Sequence, residues 1–263
     1  MKRLINWFSS PNSHKISSIK YHLRHILLLK FYLGRTNSID TYLSYHPDSR
    51  RKNNSYNEFD ILYEGFIAKN KLNNSGDIPR LWSWILNISH IIKNLPNGEF
   101  AELGVWRGNT SSILAYYAKK NNRRLFLLDT FEGFLKDDLT GIDEDKEIEF
   151  SNTSLETVAA VIGDNFDVCT PVVGHFPSSI TRELSNNKFS IVSLDCDLYE
   201  PTKAALDFFY SRMDKGALFL LHDYSSLQWD GSKKAIDEFC QITGEQLVLL
   251  PDKSGSAILK IHK

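Results

Sequence analysis

Residues 189–210, "FSIVSLDCDLYEPTKAALDFFY", join a strand-like run to a helical pattern through two acidic residues. The first six residues are mostly apolar, and the segment from Pro201 onward has apolar residues at helical spacing. A mostly apolar strand without a polar face is typical of a sheet that helices cover on both sides. The stretch therefore predicts an α/β fold in which Asp195 and Asp197 stand at the end of a buried strand.

The same order of strand and helix recurs from residue 80 onward. Strand-like runs at 99–105 and 124–129 flank a helical pattern at 110–122, and the alternation continues towards the end of the chain. Such alternation predicts a doubly wound, mostly parallel sheet. Only the hairpin-sized loop "PDKSGS" separates the last two strand-like runs, so one of them should run antiparallel to the rest.

Residues 1–78 lack this alternation and are predicted to be an N-terminal helical arm and linker ahead of an α/β domain at 79–263. The first 38 residues carry seven Lys or Arg and no acid, and residues 16–33 have the pattern of an amphipathic helix. Such a helix either docks on an anionic membrane surface or packs on its own domain or a second subunit. We favour the packing role, and with it a homo-oligomer.

Composition excludes several classes of protein. The chain has 263 residues and a net charge of -1, which argues against nucleic-acid binding. No apolar run has the length of a signal peptide or a membrane span. The three cysteines are far apart and predict neither disulfides nor a zinc site, so we expect a cytoplasmic protein.

The strand-like run at 99–105 ends in a pattern suited to a ligand that carries a carboxylate or a phosphate. "ELGVWRGNT" places Glu102, Gly104 and Gly108 before Asn109 and Thr110, which open a helix. Glycines allow close approach of the backbone, and a helix N-terminus offers free N–H groups. The spacing E-x-G-x-x-x-G differs from the G-x-G-x-x-G of dinucleotide-binding folds.

The next strand-like run ends at Asp129. An acid at this place in such folds can accept hydrogen bonds from both hydroxyls of a ribose. A lone Asp there is equally often a turn or cap residue, but together with the preceding motif it favours a nucleoside ligand.

Four ionisable residues are predicted to meet at the ends of two later strands: Asp195 and Asp197 on one, His222 and Asp223 on the other. Their convergence is costly unless a cation or a substrate proton compensates it. Oxygen ligands of this kind suit Mg²⁺, and a carboxylate not bound to the metal can accept a proton from a hydroxyl. The alternatives are that Asp197 caps the following helix and that His222 is a buried histidine with ordinary partners.

The motifs "ELGVWRG", "LLDTFEGF", "LDCDLYEPT" and "LLHDYSS", in this order, resemble the TylF/MycF family of macrocin-type sugar O-methyltransferases. The resemblance spans about Gly98 to Phe239. It implies S-adenosylmethionine (SAM) as cofactor and the Rossmann-like class I methyltransferase fold, a seven-stranded, mostly parallel sheet with the last strand inserted antiparallel.

The resemblance also assigns roles to the residues singled out above. Five residues are assigned to the amino-acid end of SAM and Asp129 to its ribose. In this family a magnesium ion binds two vicinal oxygens of the sugar, which implies Asp195, His222 and Asp223 as its ligands, with Asp195 also beside the cofactor. Asp197 is then the general base. The five residues at the amino-acid end are Glu102, Gly104, Gly108, Asn109 and Thr110.

His222 departs from the family pattern, which more usually has Asp at this position. A site with one carboxylate fewer is expected to hold the metal more weakly, to prefer a softer ion such as Mn²⁺, or to work without a metal with His222 as the base.

The leading hypothesis is therefore a metal-assisted, SAM-dependent O-methyltransferase acting on a sugar hydroxyl of a polysaccharide precursor or a glycosylated small molecule. Three alternatives stay open at this stage. They are methyl transfer to a catechol-like phenol, a NAD-dependent oxidoreductase on a similar sheet, and a non-catalytic relative.

Overall fold

The computed structural model describes residues 58–66 and 77–263. The basic arm and the amphipathic helix expected at 16–33 lie outside the described residues. Within the part that is described, no helix combines the length and the apolar character needed to cross a bilayer.

The described residues form one seven-stranded sheet with the strand order β3-β2-β1-β4-β5-β7-β6. The last strand, β7, is antiparallel to both of its neighbours, whereas the remaining pairs along the sheet are parallel. This confirms the predicted sheet with its inserted antiparallel strand. The strands are β1 Glu99–Leu103, β2 Leu125–Asp129, β3 Cys169–Val173, β4 Phe189–Leu194, β5 Met213–Leu221, β6 Leu247–Leu249 and β7 Ala257–Lys260.

Seven α-helices of the described ranges cover the sheet, and local sequence explains several of their ends. Asp77 accepts a hydrogen bond from the backbone N–H of Arg80, and a proline lies in the first turn of the same helix. Gly244, with φ 75°, ends the last helix in a left-handed conformation. The helices are α1 Glu58–Phe66, α2 Ile78–Ile91, α3 Asn109–Lys120, α4 Leu155–Ile162, α5 Arg182–Asn186, α6 Tyr199–Tyr210 and α7 Asp230–Thr243.

The sheet separates two apolar cores because successive side chains of a strand point to opposite faces. Phe100 belongs to the core with α1, α2 and α3, whereas Ala101 belongs to the core with α6 and α7. Helix α1 lies on the N-terminal side of the domain boundary predicted at residue 78, yet its Leu62 and Phe66 pack in the first core. The boundary itself stays a prediction.

The order of the strands reverses between β1 and β4, so a crevice opens where these two strands end. The backbones of β1 and β4 lie very close to each other at this point. The N–H of Asp195 donates to the carbonyl of Leu103 at 2.9 Å. Gly104 has φ 84°, and a Cβ built on it would lie 1.9 Å from the carbonyl oxygen of Asp195. Glycine is therefore required where β1 leaves the sheet.

Replacing Phe189 by alanine is expected to lower the free energy of unfolding by about 3–5 kcal/mol, since it leaves a cavity in the second core. The ring is fully buried and packs edge-on against Phe126 and Phe209. Urea denaturation followed by circular dichroism measures the loss. Val248→Ala on the edge strand, where the side chain is 64% exposed, is the control and should cost less than about 0.5 kcal/mol. Equal losses would contradict the assigned core.

Candidate active site

A cavity of about 470 Å³ opens where the parallel strands end, and it collects almost all of the predicted site residues. This is the place where α/β sheets bind their ligands. The predicted residues that line the cavity are Glu102, Gly104, Asn109, Thr110, Asp129, Asp195, Asp197, His222 and Asp223.

Gly108 does not line the cavity. It precedes the first residue of α3 with φ 81°, and the Cβ that a larger residue would carry there points at Val158, 3.1 Å from its Cγ1. The glycine thus lets the chain turn into α3 while α4 packs against it. The predicted role of Gly108 towards the cofactor stays a prediction.

Glu102 stands at the end of β1 with its side chain almost fully buried. Ser111 on α3 donates a hydrogen bond to its carboxyl group. Burial raises the pKa of Glu102 well above its ordinary value, and the Ser111 hydroxyl only partly offsets this effect. Glu102 therefore offers the cavity a carboxyl group that a nearby cation would help to ionise.

Asp129 holds the loop between β1 and α3. Its Oδ2 accepts hydrogen bonds from the N–H groups of Val105 and Trp106 at 2.7 and 2.8 Å, and its Oδ1 accepts one from Phe131 at 2.7 Å. A carboxylate has about four lone-pair sites, so one stays available for a ligand. The side chain of Asp129 thus has a structural role besides its predicted contact with a ribose.

The acid cluster is the group formed by Asp195, Asp197, His222 and Asp223. One ligand atom from each of the four lies within 4.8 Å of the others. Asp197 and Asp223 have φ 61° and 56°, values that are uncommon for residues other than glycine. Strained backbone of this kind is concentrated at functional sites, and here it occurs at two members of one cluster.

His222 lies between two carboxylates. Its Nδ1 is 2.5 Å from Oδ1 of Asp195 and also contacts Oδ2 of Asp223. Burial acts to lower the pKa of His222, but Asp195 and Asp223 outweigh it and raise the pKa to about 10. On the other side of the ring, Nε2 contacts the guanidinium of Arg80, which needs a lone pair there. The raised pKa favours the doubly protonated ring and the contact with Arg80 favours a ring with an unprotonated Nε2, but in either form Nδ1 carries a proton that faces the carboxylates.

Asp197 and Asp223 are neighbours in the acid cluster, and each affects the protonation of the other. Burial, followed by the charges of Asp223 and Asp195, raises the pKa of Asp197 well above its ordinary value. Burial also acts to raise the pKa of Asp223, but His222 holds it below the usual range. Of the two carboxyl groups, Asp197 is therefore the one that takes a proton more readily, and it is the group that the sequence predicts to be the base.

Arg80 is a cavity residue that the sequence analysis missed. It lies in the first turn of α2, and its NH1 is 3.9 Å from Oδ2 of Asp195 besides the contact with His222. The capping residue Asp77 and the proline after it are visible in the sequence and mark the start of this helix. No local pattern reveals that α2 points its first turn at the ends of β4 and β5.

The loop at 130–154 forms one wall of the cavity. Phe134 and Phe150 pack edge-on against each other at 5.2 Å, and Phe134 packs on Trp229 at 5.6 Å. Asp143 in the same loop is buried, and its Oδ2 accepts a hydrogen bond from the N–H of Tyr199 at the start of α6. The loop thus closes one side of the cavity through its contacts with Trp229 and with the start of α6.

The donor atoms of the acid cluster fit a divalent cation in part. The three carboxylates are hard oxygen ligands of the kind that Mg²⁺ and similar ions prefer. His222 fits less well, because Nδ1 faces the carboxylates with a proton rather than a lone pair. Asp195 and Asp223 are thus the stronger ligands of the predicted set.

Gly231→Ala is expected to dislodge the loop at 130–154. A Cβ at this position in α7 would lie 2.3 Å from the carboxylate oxygens of Asp143, so that side chain must leave the N–H of Tyr199. Limited proteolysis with mass spectrometry should show new cleavage within the loop. Gln241→Ala, on an exposed part of the same helix, is the control and should keep the wild-type pattern. Identical cleavage of both variants would refute the idea that the bond from Asp143 to Tyr199 holds the loop in place.

A comparison of sequences finds a curated relative from Streptomyces olivaceus, an 8-demethyl-8-(2,3-dimethoxy-alpha-L-rhamnosyl)-tetracenomycin-C 4'-O-methyltransferase. It is 25% identical over 153 residues, a match that covers 54% of this chain and 58% of the relative. The chain therefore matches little more than half of the length of that protein.

Solved structures of two O-methyltransferases share the fold. NovP superposes with a TM-score of 0.59 at 19% identity, covering 78% of this chain and 88% of NovP. TomG from Streptomyces achromogenes, solved in complex with SAM, superposes with a TM-score of 0.52 at 13% identity, covering 87% of this chain and 98% of TomG. These likenesses confirm the class I methyltransferase fold that the sequence motifs imply.

The sequence profile of the macrocin-O-methyltransferase (TylF) family matches residues 78–247. This range includes every member of the acid cluster and the ends of β1 and β2. The match confirms the resemblance found in the motifs, and we conclude that the chain belongs to the macrocin-O-methyltransferase (TylF) family.

Proposed function

We propose that this protein is a SAM-dependent O-methyltransferase that methylates a sugar hydroxyl. One observation carries the proposal: a single cavity joins the ends of β1 and β2, which suit a nucleoside with a charged tail, to the acid cluster at the ends of β4 and β5. Family membership and the activity of the Streptomyces olivaceus relative on a rhamnosyl group support the same reaction and the same class of acceptor.

The cofactor side of the cavity offers polar groups suited to the methionine moiety and the ribose of SAM. Asn109 and Thr110 present the N-terminus of α3 to the carboxylate of the methionine moiety, since free N–H groups at a helix start bind anions. Glu102 and Asp195 offer carboxyl groups to its ammonium and sulfonium charges. Asp129 keeps one acceptor site for the ribose.

The acceptor side supplies a base. Asp197 would take the proton of the sugar hydroxyl while the hydroxyl oxygen bonds to the methyl carbon and the bond from that carbon to the sulfonium sulfur breaks, which leaves S-adenosylhomocysteine. Burial and the neighbouring carboxylates raise the pKa of Asp197, and a cation held by Asp195 and Asp223 would lower it again, so that Asp197 is ionised and able to accept the proton. The protein otherwise acts by alignment and by excluding water, to which the aromatic wall of Phe134, Phe150 and Trp229 contributes.

A divalent cation, Mg²⁺ or Mn²⁺, is part of the proposal. Asp195 and Asp223 would hold it, with His222 as the third residue of the predicted set. When bound, SAM supplies an electrophilic methyl group, and the cation supplies charge that makes a sugar hydroxyl more acidic. A homo-oligomeric state and a cytoplasmic location stay predictions from the sequence.

SAM should bind to the purified protein and NAD should not. The reasoning is that the cavity carries the E-x-G-x-x-x-G turn and lacks the glycine-rich turn that cradles a pyrophosphate. Isothermal titration calorimetry with each cofactor makes the comparison directly. Heat with NAD and none with SAM would sink the methyltransferase proposal.

Asp197→Asn should reduce kcat by about 10²–10⁴-fold, the usual contribution of a general base, while the affinity for SAM changes little. Transfer of a radiolabelled methyl group to a rhamnose-bearing glycoside, with a catechol as the second acceptor, measures turnover and separates the sugar from the phenol reaction. Asp207→Asn, on the exposed face of α6, is the matched control. Wild-type turnover in Asp197→Asn would refute the base assignment.

A further inference from the structure

Arg80 is a buried cation with a fixed place. Its side chain is 4% exposed, its Nε lies 3.7 Å from Oδ2 of Asp77, and its guanidinium lies 5.1 Å from the centre of the Phe66 ring. Asp77 is itself buried and also caps the helix that carries Arg80. A guanidinium held by an ion pair and an aromatic face has little freedom to move away from the charges around it.

The guanidinium faces the acid cluster rather than solvent. Its NH1 contacts Nε2 of His222 and lies 3.9 Å from Oδ2 of Asp195, and Arg80 lines the cavity together with all four members of the cluster. Arginine keeps its charge at every physiological pH. The carboxylates therefore have a permanent positive charge next to them.

That charge has two opposite effects on a divalent cation. It stabilises the buried carboxylates in their ionised form, which are the ligands that a metal requires. It also repels any second cation that approaches Asp195, and in a site removed from water this repulsion is stronger than on a surface. For binding of the metal, we take the repulsion as the larger effect, because a divalent ion carries two charges and would stand next to the same carboxylate, Asp195, that the guanidinium already faces.

We propose that Arg80 competes with a divalent cation for the acid cluster and so keeps the affinity of this site for metal low. Arg80 is in this sense a positioning residue, which acts on the reaction through Asp195 and His222. The inference rests on the metal site of the proposed function, and its test measures metal binding without any acceptor or turnover.

Isothermal titration calorimetry of Mn²⁺ into the full chain compares wild type with Arg80→Gln. Removing the guanidinium should tighten Mn²⁺ binding by about tenfold or more, as expected for one unit charge a few ångströms away. Arg80→Lys keeps a positive charge and should stay within about threefold of wild type. Arg124→Gln, which removes the same charge from a side chain that is 40% exposed and paired with Glu99 and Glu183, should leave the affinity unchanged.

Equal or weaker Mn²⁺ binding in Arg80→Gln would overturn the inference, as would the absence of Mn²⁺ binding in both proteins. SAM binding in the same proteins still tests the proposed function separately. If circular dichroism shows that Arg80→Gln is unfolded, Arg80→Met gives a second route, because it removes the charge and keeps an apolar side chain of similar length against the Phe66 ring. It should also tighten Mn²⁺ binding, and an unchanged affinity in a folded Arg80→Met would contradict the competition.

Discussion

The close approach of β1 and β4 at Gly104 is the constraint on which the site depends. The backbone of Asp195 occupies the space that a side chain at residue 104 would need, and a hydrogen bond to Leu103 fixes the separation. Because the two strands are held together at their ends, the cofactor side and the acid cluster share one cavity. A wider separation would leave two half-sites, neither of which could bring a methyl group to a hydroxyl.

The sheet and most of the site residues could be predicted from the sequence because both depend on local patterns. Apolar runs alternating with helical periods predict the parallel strands, and the short loop before Ala257 predicts that one of the last two strands is antiparallel. Once strands are placed, residues after their last positions must lie at one edge of the sheet. This is why Asp129, Asp195 and His222 were found without any knowledge of packing.

What the sequence could not supply depends on contacts between distant segments. Arg80 is 142 residues from His222, and its place in the cavity follows from how α2 packs on the sheet. Gly108 was assigned to the cofactor by the resemblance, yet its missing Cβ makes room for Val158 of α4. The partner of Asp143 is likewise 56 residues away. No periodicity or spacing rule carries information over such separations.

The bond from Asp143 to the N–H of Tyr199 ties the wall of the cavity to the start of α6. A single capping bond is worth about 0.5–2 kcal/mol, and the contact of Phe134 with Trp229 joins the same loop to the start of α7. One buried carboxylate therefore couples the position of a cavity wall to the formation of a helix start. A substitution that unravels the first turn of α6 would for this reason also be felt at the cavity wall, 56 residues away in the chain.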